Sequence, residues 1–109
     1  MKIKADTIIR RLNGSPVIAD QEPGAQELTV GGVVATILST RKIDQFNPLK
    51  AYALAQRFYK GGLIEIDEGD YSSLREVIEK NDQYVPFVLA QVLQVLIDTR
   101  DKIDRGPSK

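Results

Sequence analysis

The chain has 109 residues, with 15 Lys and Arg against 15 Asp and Glu, so its net charge is zero. It contains neither Cys nor His, which excludes disulfides, thiol nucleophiles, Ser-His triads and the commonest metal ligands. The length indicates one domain, and the balanced charge argues against general binding to polyanions or a polybasic membrane tether.

The first segment has the pattern of a β-hairpin. Residues 7–12 begin with β-branched side chains, and Asn13 and Gly14 follow them. Asn-Gly is the strongest short signal for a hairpin turn, because both central residues of a type I′ turn need positive φ. The return strand is predicted over residues 15–19, and the polar stretch 20–27 is predicted to be a loop.

The first helix is predicted to start at Thr29, which suits an N-cap, and to end around residues 39–41. Gly31 and Gly32 weaken its first turn, unless they allow close packing against another backbone. Its apolar residues have the i, i+3, i+4, i+7, i+8 spacing of an amphipathic helix. They are Val30, Val33, Val34, Ile37 and Leu38.

The second helix has the clearest start in the chain. Asn47 is predicted to cap it, and Pro48 suits its first position, where the missing N–H costs nothing. Gly61 and Gly62 are predicted to end it. Its apolar residues cover a wide arc, which is typical of a central helix or one shared between subunits.

A short strand is predicted over residues 63–66, where it could pair with the hairpin. The third helix follows with Asp67 as N-cap, and it is predicted to end near residues 81–82. The fourth helix is predicted over residues 85–100. The charged tail from residue 101 to 109 is predicted to fray, so residues 1–100 form the predicted domain.

The fourth helix is apolar beyond a single face. It is therefore either the central helix of the bundle or part of a homo-oligomer interface. We predict a homo-oligomer, because a small subunit has few neighbours with which to cover so much apolar surface. The predicted interface residues are Val88, Val92, Val95 and Leu96.

Charge is segregated along the chain. Residues 41–60 hold five basic residues and one acid, whereas residues 61–82 hold seven acids and two basic residues. One interpretation is a basic helix that faces an acidic one, within a subunit or across a symmetric interface. The other is a basic pocket for a small anion, built from the hairpin arginines and the second helix.

The candidate ligand- or partner-binding residues follow from the second interpretation. They are Arg10, Arg11, Arg57, Tyr59 and Lys60. Arginine presents a planar fork that matches phosphate or carboxylate, and Tyr59 could stack on a ring. Arg10 and Arg11 are neighbours on a predicted strand, so at most one of them faces a given ligand. Cations at the end of a helix are also expected from the helix dipole alone.

The acidic residues around the start of the third helix are predicted to cap that helix, because they lack the pattern of a calcium-binding loop. They are Glu65, Asp67, Glu68 and Asp70. Without His or Cys, catalysis would need carboxylates, Lys, Tyr or a metal, and no such arrangement is recognisable. We therefore expect no enzyme activity, no cofactor and no metal site.

Four motifs resemble a group of small proteins encoded in tailed-phage and prophage genomes. They are Asn13-Gly14-Ser15-Pro16, Leu28-Thr29-Val30-Gly31, Tyr52-Ala53-Leu54-Ala55-Gln56-Arg57 and Leu63-Ile64-Glu65-Ile66. The resemblance covers most of residues 5–98. It implies a phage accessory role, in the cytoplasm of a bacterial host, and it carries no catalytic residue over to this chain.

We expect an α+β fold, mostly α, in which the hairpin and the short strand pack on four helices. The first functional hypothesis is a homo-oligomeric accessory protein that binds a host protein or a small anionic, nucleotide-like signal, as in counter-defence. The second is a virion or assembly component of the phage head or tail. The third is a nucleic-acid-binding regulator, against which the zero net charge counts. No segment is long and apolar enough to predict a membrane span.

Overall fold

The computed structural model describes residues 2–17, 27–40 and 44–104, with side chains as far as Thr99. Its elements are β1 (Lys2–Lys4), α1 (Val30–Thr40), α2 (Pro48–Lys60), β2 (Leu63–Glu65), α3 (Glu68–Glu79) and α4 (Pro86–Asp104). In this part of the chain, four helices accompany one two-stranded antiparallel sheet. The predicted α+β, mostly α fold is confirmed.

Side-chain caps start three helices at the residues expected from the sequence. The side-chain oxygens of Thr29, Asn47 and Asp67 each accept a hydrogen bond from the backbone amide three residues later, at 3.0, 2.8 and 2.7 Å. Each cap satisfies one of the amides that lack a partner in the first turn of a helix. The predicted starts of these three helices are therefore confirmed.

The last helix is longer than predicted. α4 continues to Asp104 rather than ending at residue 100, so residues 101–104 of the predicted tail are helical. No Gly or Pro interrupts the sequence until Gly106 and Pro107, and the helix therefore meets no stop signal over these residues. Residues 105–109 of the predicted tail lie outside the described residues.

The N-terminal hairpin forms, but its loop has three residues rather than two. The amide of Gly14 donates to the carbonyl of Arg11 at 2.9 Å, so Leu12 and Asn13 are the central residues of the turn. The amide of Arg11 donates in turn to the carbonyl of Ser15 at 2.7 Å. Gly14 has φ 91, the positive φ that the last position of a three-residue loop requires.

Beyond this loop, three segments join through a ring of backbone hydrogen bonds instead of a long ladder. The amide of Ile9 donates to the carbonyl of Leu28 at 2.8 Å, and that of Leu28 donates to the carbonyl of Val17 at 2.7 Å. The amide of Val17 closes the ring by donating to the carbonyl of Ile9 at 2.9 Å. The hairpin is thereby attached to the residues that lead into α1. The predicted loop lies outside the described residues, apart from residue 27.

The predicted strand near residue 64 pairs with β1 and not with the hairpin. β1 and β2 are antiparallel, with Ile3 opposite Ile64 and Lys2 opposite Glu65. Both isoleucines are buried, whereas the residues on either side of them are exposed. This alternation is the pattern of a strand with one face on the core. The suggested pairing of this strand with the hairpin is wrong, and β1 was not predicted from the sequence.

The core is apolar, and no charged side chain among the described residues is buried. All five residues of the predicted α1 stripe are buried, as expected. α3 and α4 are joined by the hydroxyl of Tyr71, which donates to the backbone carbonyl of Leu96 at 2.9 Å. The largest fully buried side chains include Tyr71, Phe58, Ile3, Ile9, Ile37, Leu74, Ile78 and Leu96.

α1 packs closely against α2 at Gly31. A Cβ atom at this position would clash with the carbonyl oxygen of Phe58 and would lie 3.0 Å from the Cβ of Ala5. The amide of Gly31 also donates to the carbonyl of Ala5 at 2.8 Å. The close backbone packing suggested by the sequence is confirmed for Gly31, whereas Gly32 faces a more open space.

Candidate functional site

α2 buries one side and exposes the other. Its buried residues are Ala51, Leu54, Ala55 and Phe58. They follow the spacing i, i+3, i+4, i+7, which places them on one face of a helix. The remaining side chains cover the opposite face. We call this surface the outer face of α2, and it comprises Leu49, Lys50, Tyr52, Ala53, Gln56, Arg57, Tyr59 and Lys60.

One flank of the outer face is aromatic. Tyr52 and Tyr59 are 60% and 81% exposed. They are seven residues apart, so they project within about 20° of each other and lie about 10 Å apart along the helix axis. Large apolar side chains are not usually left in water in a row on one helix. Packing within the described part of the chain therefore does not account for the row.

The other flank is basic. Lys50 and Arg57 are also seven residues apart, and α2 contains no Asp or Glu. Lys50 forms an ion pair with Asp70 of α3 at 3.0 Å. The guanidinium of Arg57 donates to the backbone carbonyl of Glu65 in β2. This flank therefore lies beside α3 and β2, and the tyrosines lie on the side away from them.

The strip between the two flanks changes in character along the helix. It begins at Leu49, which is 83% exposed, passes the small Ala53 and the polar Gln56, and ends at Lys60. Lys60 is exposed and makes no ion pair within the described part of the chain. This strip is thus apolar towards the start of α2 and charged at its end.

The structure separates the hairpin arginines from this face. The guanidinium of Arg10 donates to the carbonyl of Gly14 at 3.0 Å, within its own hairpin. The backbone of Arg10 is hydrogen-bonded to Gln91 of α4, and Arg11 is an exposed residue beside the loop. Arg10 and Arg57 therefore each donate to a backbone carbonyl in a different part of the fold. No hydrogen bond or ion pair among the described residues joins the two hairpin arginines to α2, and the pocket built from both stays a prediction.

The predicted oligomer interface needs a correction. Val88, Val92 and Leu96 are 4%, 0% and 0% exposed in the single chain. They pack in the chain's own core, so these three side chains are not available to a second copy. Val95 is half-buried and packs against the same core.

Two acidic residues at the start of α3 have structural contacts. Asp67 caps it, as predicted, and Asp70 neutralises Lys50 across the gap to α2. Within residues 2–17, 27–40 and 44–99, no group of three acidic side chains is arranged to hold a metal ion. The ion pair between Lys50 and Asp70 also joins the basic α2 to the acidic α3 within one subunit. This contact agrees with the first interpretation of the segregated charge.

Tyr59 is among the residues predicted from the sequence to bind a ligand or partner, whereas Leu49 and Tyr52 are not. Phe46, Phe58 and Tyr71 are buried, in contrast to the two exposed tyrosines of α2. The signal was present in the helix period, because the inward-facing set excludes positions 49, 52 and 59. The wide apolar arc of α2 results from this second, exposed side.

The chain matches no protein-family model, no curated protein and no solved structure. No helix in the described part of the chain is long and apolar enough to cross a membrane.

Proposed function

We propose that this chain is a non-catalytic binding protein that holds a protein partner in a stoichiometric complex through the outer face of α2. The observation that carries the proposal is the exposed pair Tyr52 and Tyr59 on one side of a well-capped helix. Tyrosine is enriched at protein interfaces, where it offers a large contact area at a small cost in side-chain entropy. A rigid helix presents the two rings at a fixed separation.

A protein partner fits the geometry better than a small anion does. A nucleotide-like ligand needs several cations that converge on one phosphate. Here the guanidiniums of Arg10 and Arg57 each donate to a nearby backbone carbonyl, in the hairpin and at β2 respectively. The exposed aromatic row, by contrast, is an extended surface of the kind that another protein covers.

The resemblance to phage and prophage proteins supports a bacterial host protein as the partner. In this proposal the chain acts in the host cytoplasm as an accessory protein, and inhibition of a defence protein is one such role. A head or tail protein as the partner would instead indicate an assembly component. Binding to nucleic acid is disfavoured by the zero net charge.

Site-specific photo-cross-linking in cells that express the gene tests the proposal. A benzophenone amino acid replaces Tyr52 or Tyr59, and the control carries it at Ser72, an exposed position on α3. We expect a discrete adduct from positions 52 and 59 and none from position 72. Excess unmodified chain should suppress the adduct, whereas the double variant Tyr52→Ala/Tyr59→Ala should not.

Two results would contradict the proposal. One is the absence of any adduct from positions 52 and 59. The other is an adduct of equal yield from position 72, since contact would then not depend on the outer face of α2. A native mass spectrum of the purified complex gives the stoichiometry, and the mass of the partner separates a host protein from a virion protein.

A further inference from the structure

We infer that the segment bound by the outer face of α2 is acidic, with apolar side chains at one end and carboxylates at the other. This inference rests on the proposed function, because it names the chemistry of the partner at the same surface. Charge complementarity carries it: the face has three cations, Lys50, Arg57 and Lys60, and no acid within the helix.

The three cations are not equally available to a partner. Lys50 is already neutralised by Asp70 at 3.0 Å. Arg57 donates to a carbonyl oxygen and keeps its full charge, and Lys60 has no ion pair within the described residues. Among the described residues, the cations of the outer face without an ion pair, Arg57 and Lys60, therefore lie towards the C-terminal end of α2.

The apolar surface is concentrated towards the other end. Leu49 and Tyr52 lie in the first two turns, and Tyr59 extends the aromatic flank to the last turn. A segment that lies along α2 would place apolar side chains beside Leu49 and the tyrosines. Its carboxylates would lie over Arg57 and Lys60, where they gain complementary charge. The charge thus places the carboxylates of the bound segment towards the C-terminal end of α2.

A second copy of this chain does not fit the same face. A symmetric dimer is isologous, so the surface would meet itself. Neither α2 contains an acid, so the helix of a second copy would offer no carboxylate to Arg57 and Lys60. Complementary charge must come from a different surface, which favours an acidic partner.

Selection from a peptide library tests the inference without knowledge of the natural partner. The probe is a library of random peptides of about 16 residues displayed on yeast, sorted for binding to the purified full-length chain. We expect enriched peptides to carry net negative charge together with aromatic or aliphatic residues. Their affinity should fall about tenfold for Lys60→Glu and about tenfold for Tyr59→Ala.

Matched variants show whether the peptides bind at the outer face of α2 and whether their carboxylates lie near its C-terminal end. Arg11→Glu makes the same change of charge on the hairpin and should alter the affinity by less than about twofold. Lys60→Gln should weaken binding more than Lys50→Gln, because Lys50 already has a partner. All these positions are exposed, so the variants should remain folded, which circular dichroism verifies.

The inference is overturned if no peptide is enriched, or if the enriched peptides are neutral or basic. It is also overturned if Lys60→Glu and Arg11→Glu bind the peptides equally well. If photo-adducts form at positions 52 and 59 but the selected peptides are not acidic, the proposed function stands and only the partner chemistry is wrong. If acidic peptides bind but no adduct forms in cells, the proposed function is wrong.

Discussion

The side chain of Gln91 pairs with the backbone of Arg10 in the way that a neighbouring β-strand would. Its Oε1 accepts a hydrogen bond from the Arg10 amide at 2.9 Å, and its Nε2 donates to the Arg10 carbonyl at 2.7 Å. The two residues are 81 positions apart in the chain. One amide side chain on α4 thus satisfies both backbone groups of a hairpin residue and holds the hairpin against the helix.

Removal of this side chain should loosen the hairpin. We expect Gln91→Ala to lower the free energy of unfolding by about 1 kcal/mol, because two hydrogen bonds between distant segments are lost. The control is Gln94→Ala on the same helix. The Gln94 amide donates to Asp98 one turn away, and its loss should lower the free energy of unfolding by about 0.3 kcal/mol. Urea denaturation of the two variants gives the comparison. Equal losses of stability in the two variants would show that the hydrogen bonds between Gln91 and Arg10 do not stabilise the fold.

The adjacent glycines of α1 should respond in opposite directions to the same substitution. Gly31→Ala places a methyl group against the carbonyl oxygen of Phe58, and we expect a loss of about 1–3 kcal/mol from this overpacking. At Gly32 the nearest atom is Thr29 Oγ1 at 3.4 Å. Gly32→Ala should therefore stabilise the chain by up to about 1 kcal/mol, through the higher helix propensity of alanine.

Thermal and urea unfolding of the two variants provide the measurement. Each variant controls for the other, since both add one methyl group to the first turn of the same helix. Loss of stability in both, or gain in both, would contradict the close approach of α1 and α2 at Gly31.

The parts of the fold that depend on neighbouring residues were predictable from the sequence. The caps at Thr29, Asn47 and Asp67 act within three residues, and the apolar spacing of α1 follows directly from the helix period. The predicted hairpin turn lies one residue later in the chain than the observed turn, because Asn-Gly suits both a two-residue turn and the end of a three-residue loop.

The parts that depend on distant contacts were not predictable. β1 has three residues, two of them lysines, and only the burial of Ile3 opposite Ile64 identifies it as a strand. Nothing local marks Gln91 as the partner of Arg10. The candidate site shows the same limit: the helix period separates the two sides of α2, but only the packing of α1 shows which side is covered.

The pKa of Glu76 should depend mainly on Gln45. The Gln45 side chain donates to Glu76 Oε2 at 2.9 Å, and Lys80 lies 3.5 Å from Oε1. The hydrogen bond from Gln45 is the largest of the causes that hold the pKa of Glu76 below its ordinary value, followed by the charge of Lys80 and then by a hydrogen bond from Lys80. We expect Gln45→Ala to raise this pKa more than Lys80→Ala does, as measured by NMR titration of the carboxyl carbon.

The sign of the pH effect follows from the lowered pKa. A carboxyl whose pKa falls on folding stabilises the folded state above its ordinary pKa, and this stabilisation is lost as the pH falls through the folded pKa. Gln45→Ala should therefore reduce the loss of stability on acidification in the range below the ordinary pKa of glutamate. A larger pKa change in Lys80→Ala would show that charge, and not the hydrogen bond, dominates at Glu76.

The assembly state distinguishes a second copy from an acidic partner at the outer face of α2. Val88, Val92 and Leu96 pack within the chain, so three of the four residues predicted to form an oligomer interface are already covered. The exposed face of α2 is basic, and the α2 of a second copy would bring no acid to its cations. We therefore expect native mass spectrometry to give a single species at the monomer mass of 12.1 kDa. A dimer that Tyr59→Glu abolishes and Arg11→Glu preserves would contradict this, because it would show that a second copy covers α2.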